Sequence, residues 1–296
     1  MSSSGPDWDL YRAFLAVVGE GSLSGAARRL GLSQPTLGRQ VAALEAALGV
    51  ALFTRSPGGL QPTEAALALQ PHAEAMAASA AALLRGIAPL DGETGVVRLS
   101  ASEIVGGLVL PEILAGLREA HPGIDLELVL SNRNDDLLRR EADIAVRMAR
   151  PTQGALYGRR IGAVEVGLYA SPGYIQKHGQ PVSLGERAGH TVVGFDEIPA
   201  YAERVIADLP ITRELFNVRS NSDLAQIAMI QAGVGVGGCQ RPLAQRLGLT
   251  PVLDGAFSFP MEVWVVMHED LKSTRRMRIV FDALVEGLQA YLNETA

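Results

Sequence analysis

Ser33-Gln34-Pro35-Thr36, followed by Arg39, is a run whose side chains can read the edges of base pairs. Glutamine can pair bidentately with adenine and arginine with guanine, and the threonine methyl can meet a thymine methyl. Arg55, just ahead of Ser56-Pro57-Gly58-Gly59, offers a cation to a phosphate. A second set lies further along: Ser100, Ser102, Asn132, Arg147, Phe195, Asn221 and Ser222. Hydroxyls and helix N-terminal amides beside a guanidinium favour a carboxylate or similar anion, and Phe195 favours a small organic body. The same residues have plainer uses. Ser102 and Ser222 can be simple helix caps, Arg147 an ion-pair partner of Glu103, and Phe195 part of a core.

Other chemistry finds little footing. Gly233-Val-Gly-Val-Gly-Gly238 has the spacing of a dinucleotide fingerprint. That motif must follow a strand and open a helix, whereas this run follows an expected helix over 222–232 and enters a strand. The lysines are Lys177 and Lys272, with no Gly-Lys pair for a phosphate loop, and the histidines at 72, 121, 178, 190 and 268 have no metal-ligand spacing. Cys239 is the single cysteine, which excludes an internal disulfide, fits a reducing compartment, and reads as a buried inert thiol. Binding without catalysis is expected, with no cofactor and no metal.

The elements that must position the first set come from periodicity. Leu10, Phe14, Val17 and Val18 form one helical stripe. A serine caps a second helix whose Ala26, Ala27 and Leu30 face inward, Gly31 makes the turn, and Leu32 is expected to bury beneath it. Ser33 is the N-cap of a third helix, with Gln34 and Pro35 tolerated in its first turn. Its stripe is Leu37, Val41, Leu44 and Leu48, and Gly49 stops it. This is a helix-turn-helix, in which the second helix of the pair enters the major groove. The Pro-Gly-Gly turn that follows predicts a β-ribbon wing carrying Arg55. Residues 63–88 hold eleven alanines and read as one long helix. Thr63 caps it, Pro71 is expected to kink it, and Leu67, Met76, Leu83, Leu84 and Ile87 give it an apolar face.

From Gly95 on, apolar runs alternate with helical patterns, the mark of an α/β domain. The predicted strands are Val96–Ser100, Asp125–Leu130, Asp143–Val146, Glu165–Ala170, Thr191–Phe195, Phe216–Arg219, Val234–Gly237 and Glu262–Met267. Helices are predicted near 103–120, 135–140, 172–178, 199–207, 222–232, 242–247 and 273–292. The 296 residues suffice for two domains, and 48% apolar with 20% charged residues excludes a disordered chain. Net charge is −6, yet residues 1–62 carry five arginines against four acids. A slightly basic head on an acidic body is compatible with DNA binding. Neither a secretory leader nor a membrane span is read, so a cytoplasmic protein is expected.

Four segments together resemble the LysR-type transcriptional regulators: Phe14–Leu30, Leu32–Val41, Leu44–Arg55 and Leu60–Ala65, covering most of residues 10–66. Gly38 departs from that pattern, where the family often has serine, and so does Ala66, where glycine is usual. The resemblance implies an all-α winged helix-turn-helix head over 1–62 and a linker and dimerisation helix over 63–90. It further implies an effector-binding domain over 91–296, with the two-lobed α/β fold of periplasmic binding proteins. Mapped here, lobe one is 92–162 plus 267–296 and lobe two 163–266. DNA contacts fall to Ser33, Gln34, Pro35, Thr36, Arg39 and Arg55, and effector contacts to the seven residues of the second set. The implied partners are double-stranded DNA bearing an interrupted palindrome, a small-molecule effector, which the second set makes an organic acid, a second copy in a homodimer or homotetramer, and the transcription machinery. The rival reading is a small-molecule-binding or enzymatic α/β protein whose N-terminal helices serve assembly.

Overall fold

The computed structural model describes residues 5–56, 59–86, 92–132, 142–151, 156–183, 189–199, 211–253 and 257–294. The chain forms two compact units, one within Met1–Leu84 and the other within Arg85–Ala296.

The first unit opens with three helices, α1 (Trp8–Glu20), α2 (Leu23–Leu30) and α3 (Gln34–Leu48). Their ends are set locally. The Ser22 hydroxyl accepts from the Gly25 amide at 3.2 Å and the Ser33 hydroxyl from the Thr36 amide at 3.3 Å, each satisfying an N-terminal donor that the helix leaves open. Between α2 and α3, Gly31 has φ 67°, a left-handed turn natural to glycine. Ala13, Ala16, Val17, Ala26, Ala27, Leu37 and Val41 are the buried centre of the three-helix packing. Leu32 and Leu48 do not join it. They are 38% and 37% exposed, because each sits at a helix end past the last residue facing the centre.

β1 (Phe53–Ser56) and β2 (Gly59–Pro62) pair antiparallel, Arg55 opposite Leu60, as the wing; Pro57 and Gly58 of its turn lie outside the described residues. α4 (Glu64–Gly86) follows and runs through Pro71. Thr63 caps it, its hydroxyl accepting from the Ala66 amide at 3.2 Å and donating to the Ala51 carbonyl at 2.8 Å. Ala66 and Ala73 are buried against Phe14, Leu44 and Leu52. Leu67, Met76 and Leu83 are 56%, 42% and 61% exposed. The Leu84 side chain and Ile87, expected on the same apolar face, lie outside the described residues.

The second unit is α/β. Its seven-stranded sheet runs β10 (Thr250–Val252), β6 (Leu156–Ala170), β11 (Ser258–His268), β5 (Ile144–Arg147), β3 (Gly95–Ala101), β4 (Ile124–Leu130), with β9 (Gly237–Gln240) also on β6. β3 is parallel to both β4 and β5, which demands crossovers. The first is supplied by α5 (Leu110–Ala120), preceded by a π-helical stretch at Val105–Val109. β7 (Val193–Phe195) and β8 (Val218–Ser220) form a separate parallel pair, joined to the β9 side by the Val192–Val236 bridge. Among the described residues the remaining α-helices are α6 (Pro172–His178), α7 (Asp223–Gln231), α8 (Arg241–Arg246) and α9 (Arg275–Asn293). The helices expected near 135–140 and 199–207 fall almost wholly outside the described residues.

Two lobes arise from the two long strands β6 and β11. Toward one end they extend the β4-β3-β5 sheet; toward the other, β6 carries β9 and β10. Val263 pairs with Gly162 but Trp264 with Arg160, so Ile161 is the extra residue of a β-bulge where the strands pass between lobes. Trp264–Met267 already pair with β5, whereas the sequence put the lobe change after residue 266. β9 begins at Gly237, three residues later than the strand expected at 234–237. The glycine run before it makes the helix-to-strand turn: a Cβ on Gly235 would collide with the Thr191 carbonyl oxygen. On α9, Met277, Val280, Phe281, Leu284, Val285, Leu288 and Tyr291 are buried at three- and four-residue spacing in the body's main core.

Candidate nucleic-acid interface and ligand cleft

On α3, burial of Leu37, Val41 and Leu44 fixes which side faces outward. Gln34, Pro35 and Arg39 are exposed and Thr36 is half-buried. Ser33 Oγ lies 2.7 Å from Thr36 Oγ1, tying the two hydroxyls together. Arg39 Nε donates to the Pro35 carbonyl at 3.4 Å, which holds the side chain back along the first turn with its guanidinium in solvent. The structure therefore brings Ser33, Gln34, Pro35, Thr36 and Arg39 together at one exposed helix start. Gly38 has room for a side chain, since a Cβ there would lie 3.8 Å from Leu23 Cδ1.

The wing is held by contacts that sequence reasoning missed. Glu45 Oε1 accepts from the Leu52 amide at 2.7 Å and the Phe53 amide at 3.3 Å. An anion in the last turn of a helix opposes the helix dipole, and that mismatch is the signal that could have shown Glu45 to have its partners outside the helix. On the other strand, Leu60 donates its amide to the Gly21 carbonyl at 2.8 Å. Gly59, at φ 121°, approaches that same oxygen so closely that a Cβ would lie 2.5 Å from it. Arg55 is thus exposed on a strand anchored at both edges.

In the second unit, the seven residues of the expected ligand site divide. Ser100 and Arg147 are 1% and 6% exposed. Arg147 donates to Ser100 Oγ at 2.8 Å and to the Val146 carbonyl at 3.0 Å. The guanidinium expected at the mouth is thus buried against Ser100 of the neighbouring strand, itself one of the expected ligand residues. Phe195 is half-buried and meets Phe216 edge-on at 6.1 Å. Asn221 is exposed, and Ser102 is half-buried where β3 gives way to the helix, its carbonyl accepting from Gly106.

Asn132 and Ser222 do converge, on a residue not proposed as a ligand contact. Ser222 Oγ donates to Glu103 Oε2 at 2.9 Å, and the Leu224 amide donates to the same oxygen at 3.4 Å. Asn132 Oδ1 accepts from the Glu103 amide at 3.1 Å, and Asn132 Nδ2 donates to Asp223 Oδ2 at 3.0 Å. Ser222 also caps α7, accepting from the Ala225 amide. A carboxylate of lobe one is therefore seated on the N-terminus of a lobe-two helix, a favourable place for negative charge. Close approach is possible because Gly107 carries no side chain: a Cβ there would lie 2.9 Å from Leu224 Cδ2.

Elsewhere, a cavity of about 570 Å³ is lined by Tyr157, Lys272, Arg278, Phe281 and Asp282 among others, and none of the expected ligand residues reaches it. Among the described residues no group of His, Cys, Asp and Glu could hold a metal ion. Burial pushes the Cys239 thiol up to about 12, so it stays protonated. Tyr291, raised by the same cause, donates its hydroxyl to Gln240 Oε1 at 2.7 Å.

Comparison with known proteins gives both units a family. Residues 8–67 match the bacterial regulatory helix-turn-helix protein family of lysR type, and residues 90–289 match the LysR substrate binding domain. A Xanthomonas campestris HTH-type transcriptional regulator is 30% identical over 62% of this chain, the alignment spanning 53% of that protein. The CrgA regulator of Neisseria meningitidis serogroup C is 35% identical over 62% of each chain. The solved structure of CrgA, a LysR-type transcriptional regulator from Neisseria meningitidis, aligns over 97% of this chain and 99% of that one, with TM-score 0.58 and 27% identity. No described helix is long and apolar enough to cross a membrane.

Proposed function

The chain belongs to the LysR family of transcriptional regulators, with a DNA-binding helix-turn-helix and a substrate-binding domain, and from that premise we propose that it is a cytoplasmic regulator, not an enzyme, whose hold on an interrupted palindrome is set by a small organic acid in the interlobe cleft. The observation that carries the DNA half is the outward face at the start of α3, where Gln34, Thr36 and Arg39 stand clear of a fully buried opposite face. Arg55 on the wing supplies a phosphate contact. The anionic effector is supported by the α7 N-terminus, whose Ser222 hydroxyl and Leu224 amide already hold one carboxylate. Homodimers or tetramers are supported by Met76 and Leu83, exposed on an alanine-rich helix. Such a helix gains by pairing with a second copy, which would set two reading heads on a twofold site. An effector can act only so far as it binds two arrangements of the assembly with different affinity.

Duplex DNA from beside the protein's own gene, titrated at several salt concentrations, tests the reading. Wild type should bind with a steep salt dependence. Arg39→Ala should weaken specific binding by about 1–3 kcal/mol and relax one base position. Unchanged sequence preference in Arg39→Ala overturns the placement of the reading helix, and no salt-dependent duplex binding at all returns the chain to the rival reading.

A further inference from the structure

We infer that Glu103 is an internal ligand of the effector cleft: its carboxylate latches the two lobes in the effector-free protein, and an effector carboxylate binds by displacing it. The inference rests on the reading of the cleft as an effector site and concerns how that site is regulated. Three observations combine. The donors that would receive an effector carboxylate, Ser222 Oγ–H and the Leu224 amide, are both occupied by one oxygen of Glu103. The two partners stand 119 residues apart, on different lobes, so the bond is a tie between lobes rather than a local cap. Glu103 is itself positioned, its amide held by Asn132, which reaches on to Asp223 at the start of α7.

Exclusivity follows from charge. Asp223 already brings one carboxylate to this helix start, and a third negative group cannot share it while Glu103 stays seated. An effector anion and Glu103 are therefore alternatives. A group tethered to the chain competes as though present at an effective concentration on the order of millimolar or above. Wild-type protein should thus answer only to a carboxylate that gains more from the cleft than Glu103 does, and simple carboxylates should be turned away. The displaced Glu103 releases the lobe-to-lobe tie, which gives effector binding a structural consequence.

Acetate is a direct probe, because it is the Glu103 carboxyl group without its tether. In full-length Glu103→Ala, sodium acetate should raise the thermal midpoint of the body, followed by Trp264 fluorescence, relative to sodium chloride at equal ionic strength. Half-saturation should need at least about tenfold less acetate than in wild type, the worth of a single charge-assisted hydrogen bond. Adding Ser222→Ala to Glu103→Ala should abolish the response. Glu103→Gln, which keeps an acceptor oxygen without the charge, should fall between wild type and Glu103→Ala and guards against a folding defect. Spin labels on Glu119→Cys of lobe one and Lys177→Cys of lobe two, both exposed, report the tie itself. Their distance distribution should broaden in Glu103→Ala and stay broad with acetate, which has no link to lobe one. An unchanged distribution in Glu103→Ala, or acetate acting alike on wild type and Glu103→Ala, overturns the latch. If larger organic acids stabilise wild type and Glu103→Ala equally, the latch falls while the effector reading stands; if no carboxylate affects either protein, both fall.

Discussion

Replacing Glu45 by alanine should loosen the wing from α3 and destabilise the head. The carboxylate accepts from two backbone amides, Leu52 at 2.7 Å and Phe53 at 3.3 Å, at the point where the chain leaves the helix and enters β1. Both lie in packed surroundings: Leu52 is fully buried, and the Phe53 ring stands 5.7 Å from Phe14. A hydrogen bond to a charged group contributes about 1.5–3 kcal/mol, and the longer of the two bonds belongs at or below the bottom of that range, so the pair is worth about 3 kcal/mol. Against this, alanine improves helix propensity by a few tenths and removes an anion from the last turn, together about 1 kcal/mol. A net loss of about 2 kcal/mol remains. Glu45→Gln keeps a neutral acceptor and should lose about half as much. Urea unfolding followed by Trp8 fluorescence, in a Trp264→Phe background, isolates the head. With a slope near 1 kcal/mol per molar, the midpoint should fall by about 2 M in Glu45→Ala. DNA affinity should fall with it at every sequence, because Arg55 rides on β1. A Glu45→Ala midpoint indistinguishable from wild type, or Glu45→Gln as damaging as alanine, refutes the assignment.

Three further outcomes are expected. Gly38→Ala should stabilise the head by about 1 kcal/mol, raising its Trp8-reported melting midpoint by about 4–8 °C, since the added Cβ meets only ordinary contact; a lower midpoint would show that α3 needs glycine there. Leu83→Glu should turn the oligomer into monomers in sedimentation, and an unchanged assembly would remove α4 from the interface. Cys239 stays protonated in the folded protein up to about pH 12, while the unfolded chain ionises its thiol near 9. Above pH 9 the unfolded state therefore binds fewer protons, so the thiol's contribution is whole below pH 9 and is lost as pH rises toward 12. Cys239→Ala should flatten that fall in urea titrations between pH 8 and 11, with the raised Tyr291 leaving part of it; an identical pH slope would contradict the buried thiol.

Local signals carried the head. Ser22, Ser33 and Thr63 cap helices through their own hydroxyls, and a capping bond spans only three residues, so the sequence displays both ends of it. The body was legible where strands alternate or run apolar and illegible where they do neither. The front half of β6, Leu156–Val164, contains Gly158 and Arg159-Arg160, exposed side by side, and shows no period-two pattern. Its strand character comes from pairing with β11 along its length. Phe216, expected within a strand, ends a 3₁₀ turn at Arg213–Leu215 and is buried beneath Gly194, where a Cβ would collide with its ring. Side-chain direction at the expected ligand residues was hidden for a related reason. Strand ends can be read from sequence, but which way Arg147 turns depends on Ser100 of an adjacent strand, 47 residues away.

The contacts between lobes differ in what it costs to break them, and that difference decides where the body can open. Tyr291, 2% exposed on α9, donates to buried Gln240 on β9. Separating that pair strands two polar groups away from water, a cost of about 1–3 kcal/mol each. Arg246 of α8 is clamped beside it by Glu294 and, at 2.9 Å, by Glu112 of α5. Glu103 and Ser222 are only half-buried. When their bond breaks, water can take over the carboxylate and the hydroxyl, so the net loss is close to that of one exchanged hydrogen bond. The bulge at Ile161, where β6 departs from regular pairing with β11, lies on the long strands that join the lobes. Opening is therefore expected to cost less at the Glu103 side than at the Tyr291 side. In that geometry a carboxylate arriving at Ser222 need only outcompete Glu103 to move one lobe against the other.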